Sequence, residues 1–270
     1  MAVVGGGPAG IQALQTLLDR GHEVTLYEKG EDLGGHVIEA AVPPFKNDVR
    51  DYLRWMRHTA EQCKARGARI LLNTEATADM LTLEGYDALV LALGAEPIVP
   101  KLPGIDGPNV FWAPEAEACK ASPGQRIAVI GGSAVGMEAA LDFSLQGRDA
   151  FVVEMLEEGP AGGKLHASAG SGAAELTRLF KERSIPVYYG KALTAVHPDG
   201  ITVRDVRSGA EETLPCDTVL LAVGLRPRLA EAEAMRRCAP ETSVFVVGDG
   251  KKAASICEAV NEAFQVCLHI

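Results

Sequence analysis

The six cysteines of this chain are isolated from one another, and no two have the spacing of a C-x-x-C or C-x4-C pair. This absence argues against a zinc knuckle, an iron–sulfur cluster and a local redox disulfide. Isolated thiols in a chain of 270 residues favour a reducing compartment. The N-terminus lacks a basic segment, and glycines interrupt its apolar run, so we expect no signal peptide.

Long apolar runs and clustered positive charges are absent as well. No uninterrupted apolar stretch approaches the length that spans a bilayer. The formal net charge is -10 and the Lys and Arg residues are scattered, which argues against nucleic acid or an anionic membrane as a partner. We therefore predict a globular, cytoplasmic protein without a metal site.

A repeat with an offset of 126 residues is the most informative feature of the chain. In the first copy, an apolar run leads into a glycine-rich loop, a helical pattern follows, and a β-rich run ends at Glu28. The second copy has the same order and ends at Glu154. The acidic residue lies 18 positions after the last loop glycine in both copies. One face of the first helical pattern is apolar, with Ile11, Leu14, Leu17 and Leu18.

This order is that of a β-α-β dinucleotide-binding unit. The first glycine makes the tight turn, the second admits a pyrophosphate, and the third lets the helix pack closely on the sheet. The helix N-terminus attracts phosphate, and the carboxylate at the end of the next strand accepts hydrogen bonds from ribose. The predicted cofactor-binding residues are Gly5, Gly7, Pro8, Ala9, Gly10 and Glu28 in the first unit, and Gly131, Ser133, Ala134, Val135, Gly136 and Glu154 in the second.

The remaining segments extend the repeat. Apolar strands end at Gly94 and at Gly224, and a final strand at 244–247 leads into Gly248 and Asp249. Runs at 187–189, 192–196 and 201–203 predict a small β-meander, and helices are predicted at 48–66, 173–183 and 255–269. A stretch rich in Gly, Ala and Ser at 159–172 predicts a mobile loop or a linker.

We therefore predict an α/β fold with two Rossmann-like dinucleotide-binding domains, the second inserted into the first. Proline and glycine clusters at 97–108 and around Pro227 mark the crossings. The first domain is predicted at 1–108 and 228–270, and the second at 109–227.

The stretches AVVGGGPAG, RGHEVTLYEKGEDLGGH, LVLALGAEP, IAVIGGSAVGMEAA, TVLLAVGLRP and VFVVGDG resemble the two-dinucleotide-domain pyridine nucleotide-disulfide oxidoreductase superfamily. Within it, the chain is most similar to the FAD/NAD(P)-binding C-terminal half of the 2,4-dienoyl-CoA reductase and trimethylamine dehydrogenase (old-yellow-enzyme-like) family. The resemblance covers essentially the whole chain and implies FAD in the first domain and NADH in the second. It adds Lys29, Gly34, Gly35, His36, Gly94, Gly224, Gly248 and Asp249 to the cofactor-binding residues, with no catalytic role for His36.

Two departures from the family pattern qualify this interpretation. Ser133 replaces the middle glycine of the second loop, where a Cβ crowds a pyrophosphate and a hydroxyl can bond to it. The N-terminal barrel of such relatives, with its FMN and iron–sulfur cluster, is absent, so either a stand-alone subunit or a trimmed domain fits. Glu154 followed by Met155 favours NADH over NADPH, because no arginine is adjacent in the sequence to receive a 2'-phosphate.

The leading hypothesis is an FAD-dependent NAD(P)H oxidoreductase module that moves electrons between NADH and a partner flavin/iron–sulfur barrel domain or subunit, or a small acceptor. We name no catalytic residue, because the cofactors supply the hydride chemistry. The alternative is a non-catalytic module that binds ADP or FAD within a larger dehydrogenase. A disulfide reductase is disfavoured because paired cysteines are absent, and Cys257 is expected to be a buried thiol.

Overall fold

The computed structural model describes residues 1–118, 121–157, 173–238 and 243–270, so the loop predicted at 159–172 lies outside the described residues. The chain forms two compact units. Unit 1 comprises Met1–Ala41, Lys46–Glu96 and Leu225–Ile270, and unit 2 comprises Val42–Phe45 and Pro97–Gly224. The units thus change after residues 96 and 224, whereas the domains predicted from the sequence change after 108 and 227. The assignment of those domains to cofactors stays a prediction.

The described elements alternate between strands and helices. In chain order the strands are β1 (Ala2–Val4), β2 (Thr25–Tyr27), β3 (Arg69–Leu71), β4 (Ala88–Leu91), β5 (Ala95–Pro97), β6 (Val110–Trp112), β7 (Arg126–Ile130), β8 (Asp149–Glu154), β9 (Val187–Tyr189), β10 (Lys191–His197), β11 (Gly200–Asp205), β12 (Glu211–Pro215), β13 (Thr218–Leu221), β14 (Leu225–Pro227) and β15 (Ser243–Val246). The helices are α1 (Pro8–Asp19), α2 (Val37–Ala40), α3 (Asn47–Ala65), α4 (Ala78–Glu84), α5 (Ala113–Glu117), α6 (Ala134–Leu145), α7 (Ala173–Arg183), α8 (Leu229–Cys238) and α9 (Ile256–Cys267).

Unit 1 is built on a parallel sheet with the strand order β15-β4-β1-β2-β3. Val3 of the central strand lies between Leu26 and Val90 of its neighbours. All three side chains are buried, as expected for a parallel sheet that is covered on both faces. This strand order is the one that binds dinucleotides at the carboxyl ends of its strands.

Helix α1 packs on this sheet and against α3 and α9. Its predicted apolar face is confirmed, because Ile11, Leu14 and Leu17 are fully buried and Leu18 is nearly so. The amphipathic pattern of the sequence therefore placed the helix correctly, and the start of α1 fixes the position of the glycine-rich loop before it.

Unit 2 repeats the arrangement with a parallel sheet in the order β6-β13-β7-β8-β9. Val129 of β7 lies between Val152 of β8 and Leu220 of β13, and all three are buried. Helix α6 follows β7 as α1 follows β1. The predicted α/β fold with two Rossmann-like parallel sheets is therefore confirmed.

The predicted meander was partly wrong. The run 187–189 forms β9, which pairs in parallel with β8 in the main sheet of unit 2. The meander is antiparallel and consists of β10, β11 and β12. Strand β12 was missed because it is an edge strand of sequence EETLP whose residues are mostly exposed, so its composition resembles that of a loop.

None of the helices in the described ranges is both long enough and apolar enough to span a bilayer. The predicted cytoplasmic location stays a prediction.

Candidate functional site

The first glycine-rich loop joins β1 to α1, and the surrounding backbone requires two of its glycines. Gly5 has a φ of +105°, and a Cβ there would lie 2.2 Å from the carbonyl oxygen of Ala92. A Cβ at Gly10 would lie 1.8 Å from the carbonyl oxygen of Gly5. Both obstacles are main-chain atoms, so no side chain can rotate away. These glycines therefore permit the close approach of strand, loop and helix.

Gly7, between them, is not required by the packing of the protein. Its φ of -78° and ψ of -171° suit any residue, and the nearest atom to a Cβ there would be the Cα of Gly35, at 4.0 Å. Gly7 precedes Pro8 and Ala9, the first residues of α1, so the glycine leaves the end of the helix open. Backbone N–H groups and the helix dipole favour an anion there. Because Gly7 has no side chain, the pyrophosphate of a dinucleotide has room to approach the N-terminus of α1.

Glu28 follows β2, and backbone donors hold its carboxylate beside this loop. Its Oε2 accepts a hydrogen bond from the N–H of Gly6 at 2.6 Å, and its Oε1 accepts one from the N–H of Gly30 at 2.6 Å. Each carboxylate oxygen has a further lone pair that can accept a bond from a ribose hydroxyl. Lys29, the next residue, is exposed.

The Gly34-Gly35 pair lies against the same loop. The N–H of Gly34 donates to the carbonyl oxygen of Gly6 at 3.0 Å. Gly35 has a φ of +54°, and a Cβ there would lie 3.3 Å from the Cα of Gly7. A side chain on Gly35 would therefore crowd Gly7, whereas one on Gly34 would meet the side chains of Leu53 and Ile38.

The segment Gly248–Gly250 also reaches the first loop of unit 1. A Cβ at Gly248 would lie 2.8 Å from the Cβ of Ala9, and a Cβ at Gly250 would lie 3.5 Å from the backbone N of Gly94. Asp249 accepts a hydrogen bond from the N–H of Ala254 at 3.0 Å. Burial raises the pKa of Asp249, while that hydrogen bond and the nearby His36 act in the opposite direction.

His36 connects two of these segments. Its Nε2 lies 3.0 Å from the carbonyl oxygen of Ala95, and its Nδ1 lies 4.0 Å from Oε2 of Glu39. The imidazole thus links the segment that follows Gly34-Gly35 to β5, the strand that follows Gly94. The predicted part of His36 in cofactor binding stays a prediction.

The second glycine-rich loop, between β7 and α6, reproduces the first. Gly131 has a φ of +104°, and a Cβ there would lie 2.5 Å from the carbonyl oxygen of Ala222. A Cβ at Gly136 would lie 1.9 Å from the carbonyl oxygen of Gly131. The backbone then continues past Ala222 to Gly224, which has a φ of +105°.

Glu154 is the counterpart of Glu28. Its Oε2 accepts a hydrogen bond from the N–H of Gly132 at 2.6 Å, and its Oε1 accepts one from the N–H of Leu156 at 2.7 Å. The same two oxygens therefore receive the same kind of donor in both units, which is the repeated feature that the sequence spacing indicated.

Ser133 occupies the position of Gly7 and has an equivalent backbone, with φ of -67° and ψ of 175°. Its hydroxyl forms no hydrogen bond that caps α6, and its Oγ lies 3.5 Å from the carbonyl oxygen of Ala222. Ala134 and the exposed Val135 follow as the first residues of the helix. The serine thus fits the fold without strain. Its side chain affects the space that a ligand at the N-terminus of α6 would use.

The structure thus gathers the predicted residues of each unit around the carboxyl ends of its own sheet. Their role in binding stays a prediction. Among the described residues, no group of three or more His, Cys, Asp or Glu side chains could hold a metal ion.

Sequence reasoning missed one charged group close to the end of β8. Arg207 forms two hydrogen bonds with the carboxylate of Glu157, which follows Glu154 by three residues. Because fifty residues separate the pair along the chain, only the fold reveals that an arginine stands there.

The expectation for Cys257 was wrong, because this thiol is exposed. Helix α9 begins at Ile256 behind a capping box formed by Ser255 and Glu258. Its buried face consists of Ala259, Ala263 and Cys267. Cys257 lies off that four-residue spacing, so the helix turns it towards solvent.

The family model described as pyridine nucleotide-disulphide oxidoreductase matches residues 1–252. Bilirubin reductase of Mediterraneibacter gnavus (strain CC55_001C) is 33% identical over 98% of this chain and 40% of its own length. NADH oxidase of Thermoanaerobacter brockii is 30% identical over 100% of this chain and 41% of its own length. The chain therefore spans about two fifths of the length of these curated relatives.

Two further similarities concern a subunit and a solved structure. The NAD-dependent dihydropyrimidine dehydrogenase subunit PreT of Escherichia coli (strain K12) is 29% identical over 92% of this chain and 62% of its own length. A solved complex of 2-naphthoyl-CoA reductase with 2-naphthoyl-CoA matches 100% of this chain and 39% of that protein, with a TM-score of 0.87 and 26% identity.

These comparisons confirm the predicted class, an FAD-dependent NAD(P)H oxidoreductase or a domain or subunit of one, and the predicted cofactors FAD and NADH. They do not separate the old-yellow-enzyme-like family from the rest of the superfamily.

Proposed function

Because the chain belongs to the pyridine nucleotide-disulphide oxidoreductase family, we propose that it is the nucleotide-binding part of a larger oxidoreductase, in which unit 1 holds FAD and unit 2 holds NADH. Electrons pass from NADH to FAD and then to a partner flavin/iron–sulfur barrel domain or subunit, or to a small acceptor. Within the superfamily we assign the chain to the old-yellow-enzyme-like proteins. For the domains we keep the bounds proposed from the sequence, 1–108 with 228–270 for FAD and 109–227 for NADH, which differ from the bounds of the two units at each crossing.

The observation that carries this proposal is the repeated geometry of the two loops. In each unit, a glutamate carboxylate accepts two backbone hydrogen bonds at 2.6 Å to 2.7 Å. One comes from an N–H of the glycine-rich loop, and the other comes from the N–H two residues after the glutamate. In each unit, a Cβ added to the last loop glycine, Gly10 or Gly136, would lie within 2 Å of a main-chain oxygen. One such loop forms a tight turn, whereas two loops of matched geometry favour a protein that handles two nucleotides.

The residues of unit 1 act by binding and orienting. Gly5, Gly7 and Gly10 open the helix N-terminus to a pyrophosphate, and Glu28 accepts ribose hydroxyls. Gly248 packs against Ala9 at the start of α1, and we assign the neighbouring Asp249 to the flavin nucleotide. When bound, NADH supplies a hydride and FAD accepts it, so no side chain has to act as an acid, base or nucleophile.

The length of the relatives supports a partner. This chain matches about two fifths of bilirubin reductase and of NADH oxidase, and PreT is named as a subunit. A module of this kind therefore accepts electrons from NADH and passes them to a reaction centre on another domain or chain.

A non-catalytic module that binds ADP or FAD is the second candidate, and Ser133 favours it. The hydroxymethyl group stands where unit 1 leaves an open space for a pyrophosphate. If that group blocks the second loop, unit 2 supports assembly and accepts no hydride donor.

NADH oxidation with an artificial acceptor tests the proposal. We expect the FAD-loaded chain to reduce ferricyanide at the expense of NADH, and the rate to depend on bound FAD. An FAD-loaded chain that binds flavin but transfers no electrons from NADH would instead support the non-catalytic candidate.

Replacing Ser133 by glycine should raise the affinity for NADH about threefold, which corresponds to roughly 0.6 kcal/mol. The variant removes the Cβ from the pyrophosphate path. It should change the stability of the fold by only a few tenths of a kcal/mol, because glycine is also accepted before a helix. Calorimetric titration of the FAD-loaded protein with NADH measures the affinity, and urea unfolding measures the stability. Weaker binding by the variant would show that the hydroxyl bonds to the phosphate.

A further inference from the structure

We propose that the ion pair between Glu157 and Arg207 makes unit 2 prefer NADH over NADPH. The carboxylate of Glu157 accepts the hydrogen bonds that the guanidinium of Arg207 would otherwise donate to the 2'-phosphate of NADPH. This inference rests on the proposed nicotinamide site at Glu154. No arginine is adjacent to Glu154 in the sequence. The fold brings Arg207 close to this segment, where it is already paired with Glu157.

Backbone hydrogen bonds place Arg207 beside the segment that follows Glu154. The N–H of Gly190 donates to the carbonyl oxygen of Leu156 at 3.0 Å, and the N–H of Val206 donates to the carbonyl oxygen of Gly190 at 2.9 Å. The end of β8 and the turn after β11 are thus linked through a single residue. Glu157 follows Glu154 by three residues, so the two Cα atoms are at most about 11 Å apart.

The pair has the geometry with which arginine binds phosphate. Nε and Nη2 of Arg207 donate to Oε1 and Oε2 of Glu157, one bond to each oxygen. This two-pronged arrangement is the same one that a guanidinium offers to a phosphate. The Arg207 side chain is 77% exposed, so a nucleotide from solvent can reach it.

Glu157 is the group that keeps Arg207 from acting in this way. Hydrogen bonding to Arg207 lowers the pKa of the Glu157 carboxyl, so the pair stays ionised at neutral pH. The other nearby acid, Asp205, already accepts bonds from the N–H and hydroxyl of Ser208 and lies 3.3 Å from the ammonium of Lys191. If Glu157 were neutral, Arg207 would therefore become available to an incoming phosphate.

The surroundings of the pair also disfavour a 2'-phosphate in the wild type. Glu154, Glu157, Asp205 and Glu212 carry four negative charges, against the positive charges of Arg207 and Lys191. A 2'-phosphate adds close to two further negative charges at this place. NADH lacks that group and therefore avoids this additional repulsion.

Calorimetry with 2',5'-ADP and ADP on the FAD-loaded protein tests the inference, since bound FAD leaves only unit 2 open to the probe. For Glu157→Gln we expect the affinity for 2',5'-ADP to rise about tenfold and the affinity for ADP to stay within about twofold of wild type. Adding Arg207→Gln to this variant should cancel the gain. Glu211→Gln is the matched control, because it frees Arg204 from an exposed pair on the neighbouring strands and should change neither affinity.

Unchanged affinity of Glu157→Gln for 2',5'-ADP, with normal binding of ADP, would overturn the inference and leave the proposed function standing. A gain that persists after the Arg207 substitution would also overturn it. Absence of ADP binding by the wild type would overturn both the inference and the proposed nucleotide site of unit 2.

Discussion

Replacing Gly10 by alanine is expected to abolish FAD binding and to lower the free energy of unfolding by about 3 kcal/mol, the upper end of the usual overpacking cost. The added Cβ would lie 1.8 Å from the carbonyl oxygen of Gly5. Because that oxygen belongs to the main chain, the variant can relieve the overlap only by moving the helix away from the loop. The movement opens the cradle that the helix N-terminus forms for the pyrophosphate.

Gly136→Ala is the matched substitution in unit 2, where the added Cβ would lie 1.9 Å from the carbonyl oxygen of Gly131. We expect this variant to keep its flavin and to lose NADH binding. The ratio of flavin to protein absorbance after gel filtration measures FAD binding, urea unfolding measures stability, and titration with NADH measures the loss expected for Gly136→Ala. Gly21→Ala controls for a loss of stability alone, because its φ of +89° strains an alanine while no described atom lies within 4 Å of the added Cβ. We expect this control to unfold more easily and to keep its flavin. Retention of full flavin content by Gly10→Ala would contradict the account of the first loop.

Replacing Glu28 by alanine should weaken FAD binding about 100-fold, or roughly 2.7 kcal/mol. The carboxylate accepts two backbone hydrogen bonds at 2.6 Å, and its removal leaves the N–H groups of Gly6 and Gly30 without their partner. The same change removes the acceptor for ribose hydroxyls. A lost bond to a charged group costs about 1.5–3 kcal/mol, which is enough to account for the expected effect.

Glu154→Ala makes the equivalent change in unit 2 and should weaken NADH binding by a similar factor while the flavin stays bound. Glutamine at either position keeps an acceptor oxygen and should give a smaller loss. Titration of FAD into the apo protein and of NADH into the loaded protein measures the two affinities. Loss of flavin from Glu154→Ala would contradict the assignment of one nucleotide to each unit.

The sequence predicted those parts of the fold whose causes are local. Gly5, Gly10, Gly131 and Gly136 could be identified because a strand followed directly by a helix needs glycine where the backbones touch. The interval from the last glycine to Glu28 and Glu154 could be read because it is the length of one helix and one short strand. The helix over 173–183 was predicted with the bounds of α7.

The remaining features depend on contacts that are distant in sequence. Arg207 meets Glu157 only because β8, Gly190 and the turn after β11 are joined by hydrogen bonds. Residues 187–189 are β-rich whichever sheet they enter, so composition could not distinguish the meander from the parallel sheet. Cys257 resembles other small apolar residues, and its exposure follows from the register of α9 rather than from its type.

The visible absorption spectrum of the purified protein, recorded without oxygen before and after addition of NADH, tests the central claim most directly. The account predicts flavin bands that bleach when NADH is added, because FAD in unit 1 then accepts a hydride from NADH in unit 2. Flavin bands that persist would contradict a working second site and would point to Ser133 as the obstacle. A protein that takes up no flavin even after incubation with FAD would contradict the account as a whole.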